Sequence, residues 1–204
     1  MTTNSDRNII WSPWNEPGSE HLHLVQDERG FLADGMILRV KESRPIRAHY
    51  RIRCDLDWKV QKLEVNLLES FRPAIRLQSD GNGHWTDEAG NPLAELDGCL
   101  DVDISITPFT NTLPIRRMSL KPGESSEIIV AYISLPEMNV QRSHQRYTCL
   151  DVSPTGGNYK YEDQGLFQGF SADLQVDADG LVLDYPELFR RVWSDELFSM
   201  QGDI

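Results

Sequence analysis

Hydrophobic and polar residues alternate with period two along most of the chain, the pattern of strands that turn one face toward a core. Between Ile46 and Trp58 one parity reads Ile46, Ala48, Tyr50, Ile52, Cys54, Leu56 and Trp58. The other reads Arg47, His49, Arg51, Arg53, Asp55 and Asp57, which predicts a long strand or a strand with a bulge. Leu63, Val65 and Leu67 repeat the pattern, as do Ile128, Val130 and Tyr132, and Phe170, Ala172, Leu174 and Val176. Turn sequences separate these runs, among them Asp80-Gly81-Asn82-Gly83, Ala89-Gly90-Asn91-Pro92 and Asp177-Ala178-Asp179-Gly180. Many short strands at hairpin spacing predict an antiparallel, mainly β fold. Only residues 186–198 read as a helix, with a proline near the start and Leu188, Val192, Trp193 and Leu197 near one face. No linker, low-complexity tract or internal repeat interrupts the pattern. One domain over residues 1–204 is expected.

The stretch GCLDVDISITPFTNTLPIRR, residues 98–117, concentrates the candidate chemistry. Alternation places Val102, Ile104 and Ile106 on one face and Asp101, Asp103 and Ser105 on the other. Read as strand, loop and strand, its second half turns Arg116 toward the apolar side with Met118 and Leu120. A desolvated guanidinium needs a paired carboxylate, so an acidic partner for Arg116 is expected. Thr107, Thr110, Asn111 and Thr112 add neutral donors and acceptors to the loop. Two readings stand: an Arg–Asp network that locks a hairpin, or a polar cluster in a concave site that grasps phosphate, carboxylate or sugar hydroxyls.

The net charge of −12 disfavours nucleic acid as a partner. The charge is uneven, however. Residues 39–76 carry ten Lys or Arg against five acids, and residues 150–204 carry eleven acids against three bases. These halves either neutralise each other or leave a basic face for an anionic ligand. No apolar run approaches the ~18 residues of a membrane helix. The first residues show no basic stretch followed by an apolar one, so no secretory signal is expected. Cys54, Cys99 and Cys149 are odd in number and lack CxxC spacing, which predicts a reduced, cytoplasmic protein.

His21 and His23 share a strand face but lack a third ligand at a recognised spacing, so a solvated face is expected. Nucleophile and phosphate-loop motifs such as GxSxG, HExxH and GxxxxGK[ST] are absent. Clustered carboxylates at Asp173, Asp177, Asp179, Asp184 and Glu187 fit turn chemistry or, alternatively, a divalent-metal site. Trp58, Trp85, Tyr147 and Tyr161 belong to an aromatic set that suits the wall of a lipid or sugar site, or simply a β core.

These motifs resemble a bacterial family, the "putative glycolipid-binding" family, formerly a domain of unknown function. The resemblance spans about residues 20–192. It rests on DLDW (Asp55–Trp58), DGNGHW (Asp80–Trp85), LDGCLDVDISITPFTNTLPIRR (Leu96–Arg117), QRYTCL (Gln145–Leu150), YKYE (Tyr159–Glu162) and VDADGLVLDYP (Val176–Pro186). It implies a large antiparallel sheet curled into a spiral roll or barrel, here expected to carry one short C-terminal helix, and binding of a small amphiphile such as a glycolipid. On that reading Asp101, Asp103, Thr110, Asn111, Arg116 and Arg117 fix the polar head. Trp58, Trp85, Tyr147 and Tyr161 line the walls, and no cofactor or catalysis is involved. The acidic tail also resembles the end of a β-barrel family of metal-dependent phosphohydrolases. That implies the alternative of a phosphate-ester hydrolase holding Mg²⁺ or Mn²⁺ on Asp173, Asp177 and Asp184. A structural protein without a ligand is the third reading.

Overall fold

A computed structural model describes residues 6–41, 43–68 and 74–195. The strands form one sheet with two meanders. The first contains β1 (Asp6–Pro13), β2 (Gly18–Asp27), β3 (Gly30–Lys41), β4 (Arg44–Cys54), β5 (Val60–Leu67), β6 (Ile75–Ser79) and β7 (Trp85–Asp87). The second contains β8 (Asp101–Ile104), β9 (Ser125–Ser134), β10 (Asn139–Ser153), β11 (Gly156–Asp163), β12 (Ser171–Asp177), β13 (Val182–Tyr185) and β14 (Phe189–Ser194). Antiparallel pairing of β1 with β14 joins them, giving the order 7-6-5-4-3-2-1-14-13-12-11-10-9-8. The sheet does not close by strand pairing and is curled like a roll, as the alternation and the family resemblance predict. Its free edges are β7 and β8. The segment between them fastens the β7 side, where the Trp85 indole donates to the Cys99 carbonyl (2.8 Å) and Gly98 N–H to the Gly83 carbonyl (2.9 Å).

Alternation in β4 holds through Cys54, where the pairing with β5 shifts register. There Asp55 takes over: its Oδ1 accepts the N–H groups of Asp57 and Lys59, both at 2.9 Å, so DLDW is a turn and not more strand. The inward parity of the strands carries the core, with Trp11, Leu22, Ile52, Leu63 and Ile133 all fully buried.

Residues 186–198 were expected to be helical; over residues 186–194 the structure overturns this, while Asp195 is helical. Phe189–Ser194 is β14, paired on both sides, while residues 196–198 lie outside those described. Its apolar Val192 points outward on an exposed strand face, which produced a false helical spacing. The α-helix that lies wholly within the described residues is α1, Thr112–Met118, in the stretch read as loop and strand. The reason is topological. β8 and β9 pair in parallel, and parallel strands need a crossover where a hairpin cannot serve. Residues 105–119 form that crossover and run through the interior of the roll, with Ile106, Phe109, Leu113 and Ile115 buried. Pro114 fits because it sits in the first helical turn, where no backbone N–H is needed. Seven residues are too few for a helix to hold itself, so α1 exists by virtue of its packing.

Four polar ties fix the crossover to the wall. Thr107 Oγ1 donates to Glu20 Oε1 of β2 (2.6 Å), which also accepts the Tyr50 hydroxyl of β4 (2.6 Å). Gly35 makes that reach possible: a Cβ there would stand 2.1 Å from the Tyr50 ring. Thr110 Oγ1 donates to Asp103 Oδ1 (3.3 Å), and the Tyr147 hydroxyl of β10 donates to Asn111 Oδ1 (2.8 Å). Arg117 grips Asp101 of β8 with Nε at 3.0 Å and one Nη at 2.5 Å. The Asp101 side chain is 0% exposed and that of Arg117 14%. Burial pushes the Asp101 carboxyl above its usual range and Arg117 opposes it. The expected carboxylate-bound arginine therefore exists, but it is Arg117. Arg116, predicted to face inward, is half-buried and has no carboxylate partner among the described residues, because helical rotation separates neighbours by ~100° where strand parity was assumed.

Two consequences are measurable. Arg117→Ala leaves Asp101 enclosed without its cation and is expected to cost ~3–5 kcal/mol in urea unfolding. Arg116→Ala should cost under ~1 kcal/mol, and equal losses would contradict this assignment. Burial raises the Glu20 carboxyl from 4.5 to about 7, against smaller opposing effects of Thr107, Tyr50 and the nearby Arg39. Because the folded state then holds this proton more tightly than the unfolded chain, stability present below pH 4.5 is lost as pH rises through about 7. The loss is on the order of 3 kcal/mol, and Asp103 adds to it in the same direction. Unfolding midpoints of Glu20→Gln between pH 5 and 8 should slope less than those of the native protein. Parallel slopes would contradict the raised value.

Candidate functional site

The crossover separates two cavities, each floored by part of the 98–117 stretch. The first, about 470 Å³, is walled by aromatic rings of the second meander: Tyr132 of β9, Tyr161 of β11, Phe167 and Phe170 of the loop after β11, Tyr185 of β13 and Phe189 of β14. The rings form a continuous series. Tyr161 lies 6.1 Å from Phe170 and 6.4 Å from Tyr185, which lies 6.4 Å from Phe189. Asp163 Oδ1 shapes the loop by accepting the N–H groups of Gly165 and Phe167, both at 2.8 Å. That turn leaves Phe167 54% and Phe170 39% exposed at the rim.

Polar groups enter this cleft from the crossover side. Asp103, Thr107 and Asn111 line it. Asp103 is partly open to the cleft and accepts Gln145 Nε2 at 2.6 Å. Desolvation raises its carboxyl from 3.8 to about 6, with Gln145 and Thr110 opposing and the charge of Asp163 adding. The Tyr185 hydroxyl has no hydrogen-bond partner among the described residues. The cleft thus offers ring faces, a carboxylate acceptor, an amide and a free phenol. That set can stack on C–H surfaces and bond hydroxyls.

The second cavity, about 690 Å³, opens beyond the C-terminal end of α1. Trp58 and Phe31 stack there with centroids 4.0 Å apart, and the Arg116 guanidinium lies 5.4 Å from the Trp58 centroid. Trp58 has φ +62°, a left-handed conformation that costs an L-residue roughly 1–2 kcal/mol. Gly180 makes room for the Arg116 stem, since a Cβ would come within 2.9 Å of its Cδ.

The ten residues proposed from sequence are therefore not one cluster. Asp103, Asn111 and Tyr161 line the aromatic cleft, with Thr110 and Tyr147 behind them. Trp58, Arg116 and Arg117 line the second cavity, with Asp101 behind Arg117. Trp85, fully buried against Cys99, belongs to the core. Most of the cleft's rings and Glu20 were missed. For Glu20 a signal existed: an acid sharing the buried parity of Leu22 and Leu24.

The alternative metal ligands do not converge. Asp177 is tied to Arg191 (2.7 Å) and Arg7 (3.4 Å), and its Oδ1 accepts the N–H groups of Asp179 and Leu181. Asp184 accepts the Trp14 indole, and Asp173 is exposed on β12. Among the described residues no group of three His, Cys, Asp or Glu side chains is placed to hold a metal ion. His21 and His23 bond Asn8 and Asp6 on the outer face. The three cysteines are free and buried, and desolvation raises their thiols, that of Cys99 to about 11. Among the described residues no helix is long and apolar enough to cross a membrane.

Known proteins add one line of comparison in sequence and one in structure. A crystal structure of a DUF1089 family protein from Pseudomonas aeruginosa superposes with a TM-score of 0.76 at 39% sequence identity, covering 89% of this chain and 92% of that one. No curated protein matches in sequence. A family model described as "Putative glycolipid-binding" matches residues 8–191, from β1 into β14, and the chain belongs to that family.

Proposed function

We propose that the protein binds an amphiphilic small molecule of the glycolipid type, without catalysis, in the aromatic cleft. One observation carries the reading: a cleft of about 470 Å³ combines a series of rings with a polar floor at Asp103 and Asn111. Sugar C–H faces stack on Tyr161, Tyr185 and Phe170, while ring hydroxyls bond to Asp103, Asn111 and the Tyr185 hydroxyl. The hydrocarbon part runs out over Phe167, Phe170 and Leu188, whose exposure otherwise leaves apolar area in water. The cleft's volume is in the range of small-ligand sites. The family description points the same way.

The test uses octyl glucoside below its micellar concentration and a glycosyl diacylglycerol delivered in mixed micelles. A ligand at 100 times its Kd should add about 2.7 kcal/mol to stability, which is roughly 5–10 °C in melting temperature at this size. Asp103→Asn and Phe170→Ala should each weaken octyl glucoside binding by ~5–50-fold in calorimetry, about 1–2 kcal/mol. If neither ligand shifts the melting temperature, the reading fails. It fails equally if both variants bind like the native protein.

A further inference from the structure

The cavity at the end of α1 has a composition that glycolipid binding in the aromatic cleft does not use. Four cations, Arg7, Lys59, Arg116 and Arg117, line it together with two carboxylates, Asp57 and Asp179. Arg7 is committed to Asp177 and Asp179, and Arg117 to Asp101. Arg116 and Lys59 make no ion pair with any described residue. In a chain of net charge −12, a lining of four cations against two carboxylates is an excess of positive charge against the general trend. A basic residue in the last helical turn offsets the helix dipole, which accounts for an arginine at 116. It accounts neither for the indole under that arginine nor for Lys59.

The indole is held there at a conformational cost. Trp58 adopts a left-handed backbone, which in a bulky residue persists only where the surroundings impose it, and such outliers gather at ligand sites. Asp55 imposes it, closing the turn by accepting the N–H groups on both sides of Trp58, and Phe31 fixes the ring. The same turn places Lys59 next to Trp58. Opposite, the Arg116 stem crosses Gly180, and among the described residues its head keeps only one long bond, to the Ala178 carbonyl (3.4 Å). A guanidinium so held has most of its N–H donors free.

We propose that this cavity is a second ligand site, for a phosphate ester. The phosphate oxygens meet the Arg116 fork and the Lys59 ammonium, and the organic group lies against the Trp58–Phe31 stack. Arginine matches phosphate geometry with two parallel bonds, and lysine adds a point charge. Apolar Leu24 and Leu56 extend the wall beside the stack, so a bare anion uses only part of the site. Because the acidic chain as a whole repels anions, the affinity comes from these short-range contacts. It should fall as salt screens them.

Calorimetric titration at low ionic strength with inorganic phosphate and phenyl phosphate tests the site, together with co-sedimentation on phosphatidylglycerol vesicles. Phenyl phosphate should bind about tenfold more tightly than inorganic phosphate and change tryptophan fluorescence. Arg116→Gln should weaken phenyl phosphate ~10–100-fold and Lys59→Gln ~3–10-fold, with melting temperatures near that of the native protein, since neither side chain is enclosed. Binding of phenyl phosphate without vesicle binding assigns the site to soluble phosphate esters; vesicle binding lost in Arg116→Gln assigns it to a lipid headgroup. Absence of binding by all three probes overturns the proposal. So does an Arg116→Gln affinity within twofold of native.

Discussion

An aspartate with no exposed side chain, Asp101, stands on edge strand β8, and a carboxylate so enclosed needs a fixed cation. Arg117 supplies it from the last turn of α1, and this pair sets the position of everything between them. Asp101 starts the strand that pairs in parallel with β9, and Arg117 ends the helix that must return the chain to β9. The crossover is therefore fastened, at its end, beside the start of the strand it leaves. It can pass only through the interior of the roll, since its apolar side chains at 106, 109, 113 and 115 find their cover there. Replacing the pair by apolar residues could be as stable. What the ions add is register: the planar fork accepts one carboxylate, in one orientation.

Within that constraint the remaining ties act as fine adjustment. Glu20 illustrates the cost. Its Oε1 accepts two hydroxyls while Oε2 has no hydrogen-bond partner among the described residues; burial raises the carboxyl to about 7, and it still anchors Thr107. An amide or an alcohol would be cheaper to bury. The acid joins three separate elements, β2, β4 and the crossover, through one oxygen.

Much of this architecture was legible beforehand. Inward parity named the core residues of β4, β5, β9 and β12 because a sheet with one wet face imposes period two on each strand separately. The crossover was legible as chemistry but not as geometry. Its acids, threonines and arginines were singled out, yet strand parity carried through Pro114 exchanged Arg116 for Arg117. A seven-residue helix completes only about two turns, too few for a 3.6-residue period to show. The parallel pairing that demands a crossover is a long-range fact, absent from the local sequence. The aromatic cleft was hidden for a related reason. Tyr132, Tyr161, Tyr185 and Phe189 come from four strands and look like ordinary core positions until the sheet curls. Val192 misled in the opposite sense, an apolar residue on an exposed strand face whose spacing imitated a helix.

The density of polar residues between Asp101 and Arg117 follows from the crossover's position, with no appeal to a single active cluster. A segment inside a roll has walls on all sides, so consecutive residues face different strands. Thr107 meets Glu20, Thr110 meets Asp103, Asn111 meets Tyr147 and Arg117 meets Asp101. Arg116 makes no ion pair among the described residues. The residues left partly facing open space then divide by side: a carboxylate and an amide toward the aromatic cleft, a guanidinium toward Trp58. The same thread that fills the roll thus gives the aromatic cleft and the cavity at Trp58 floors of opposite charge. A ligand in either one rests on a segment whose position is already set by four side-chain ties, so little ordering remains for binding to bring about.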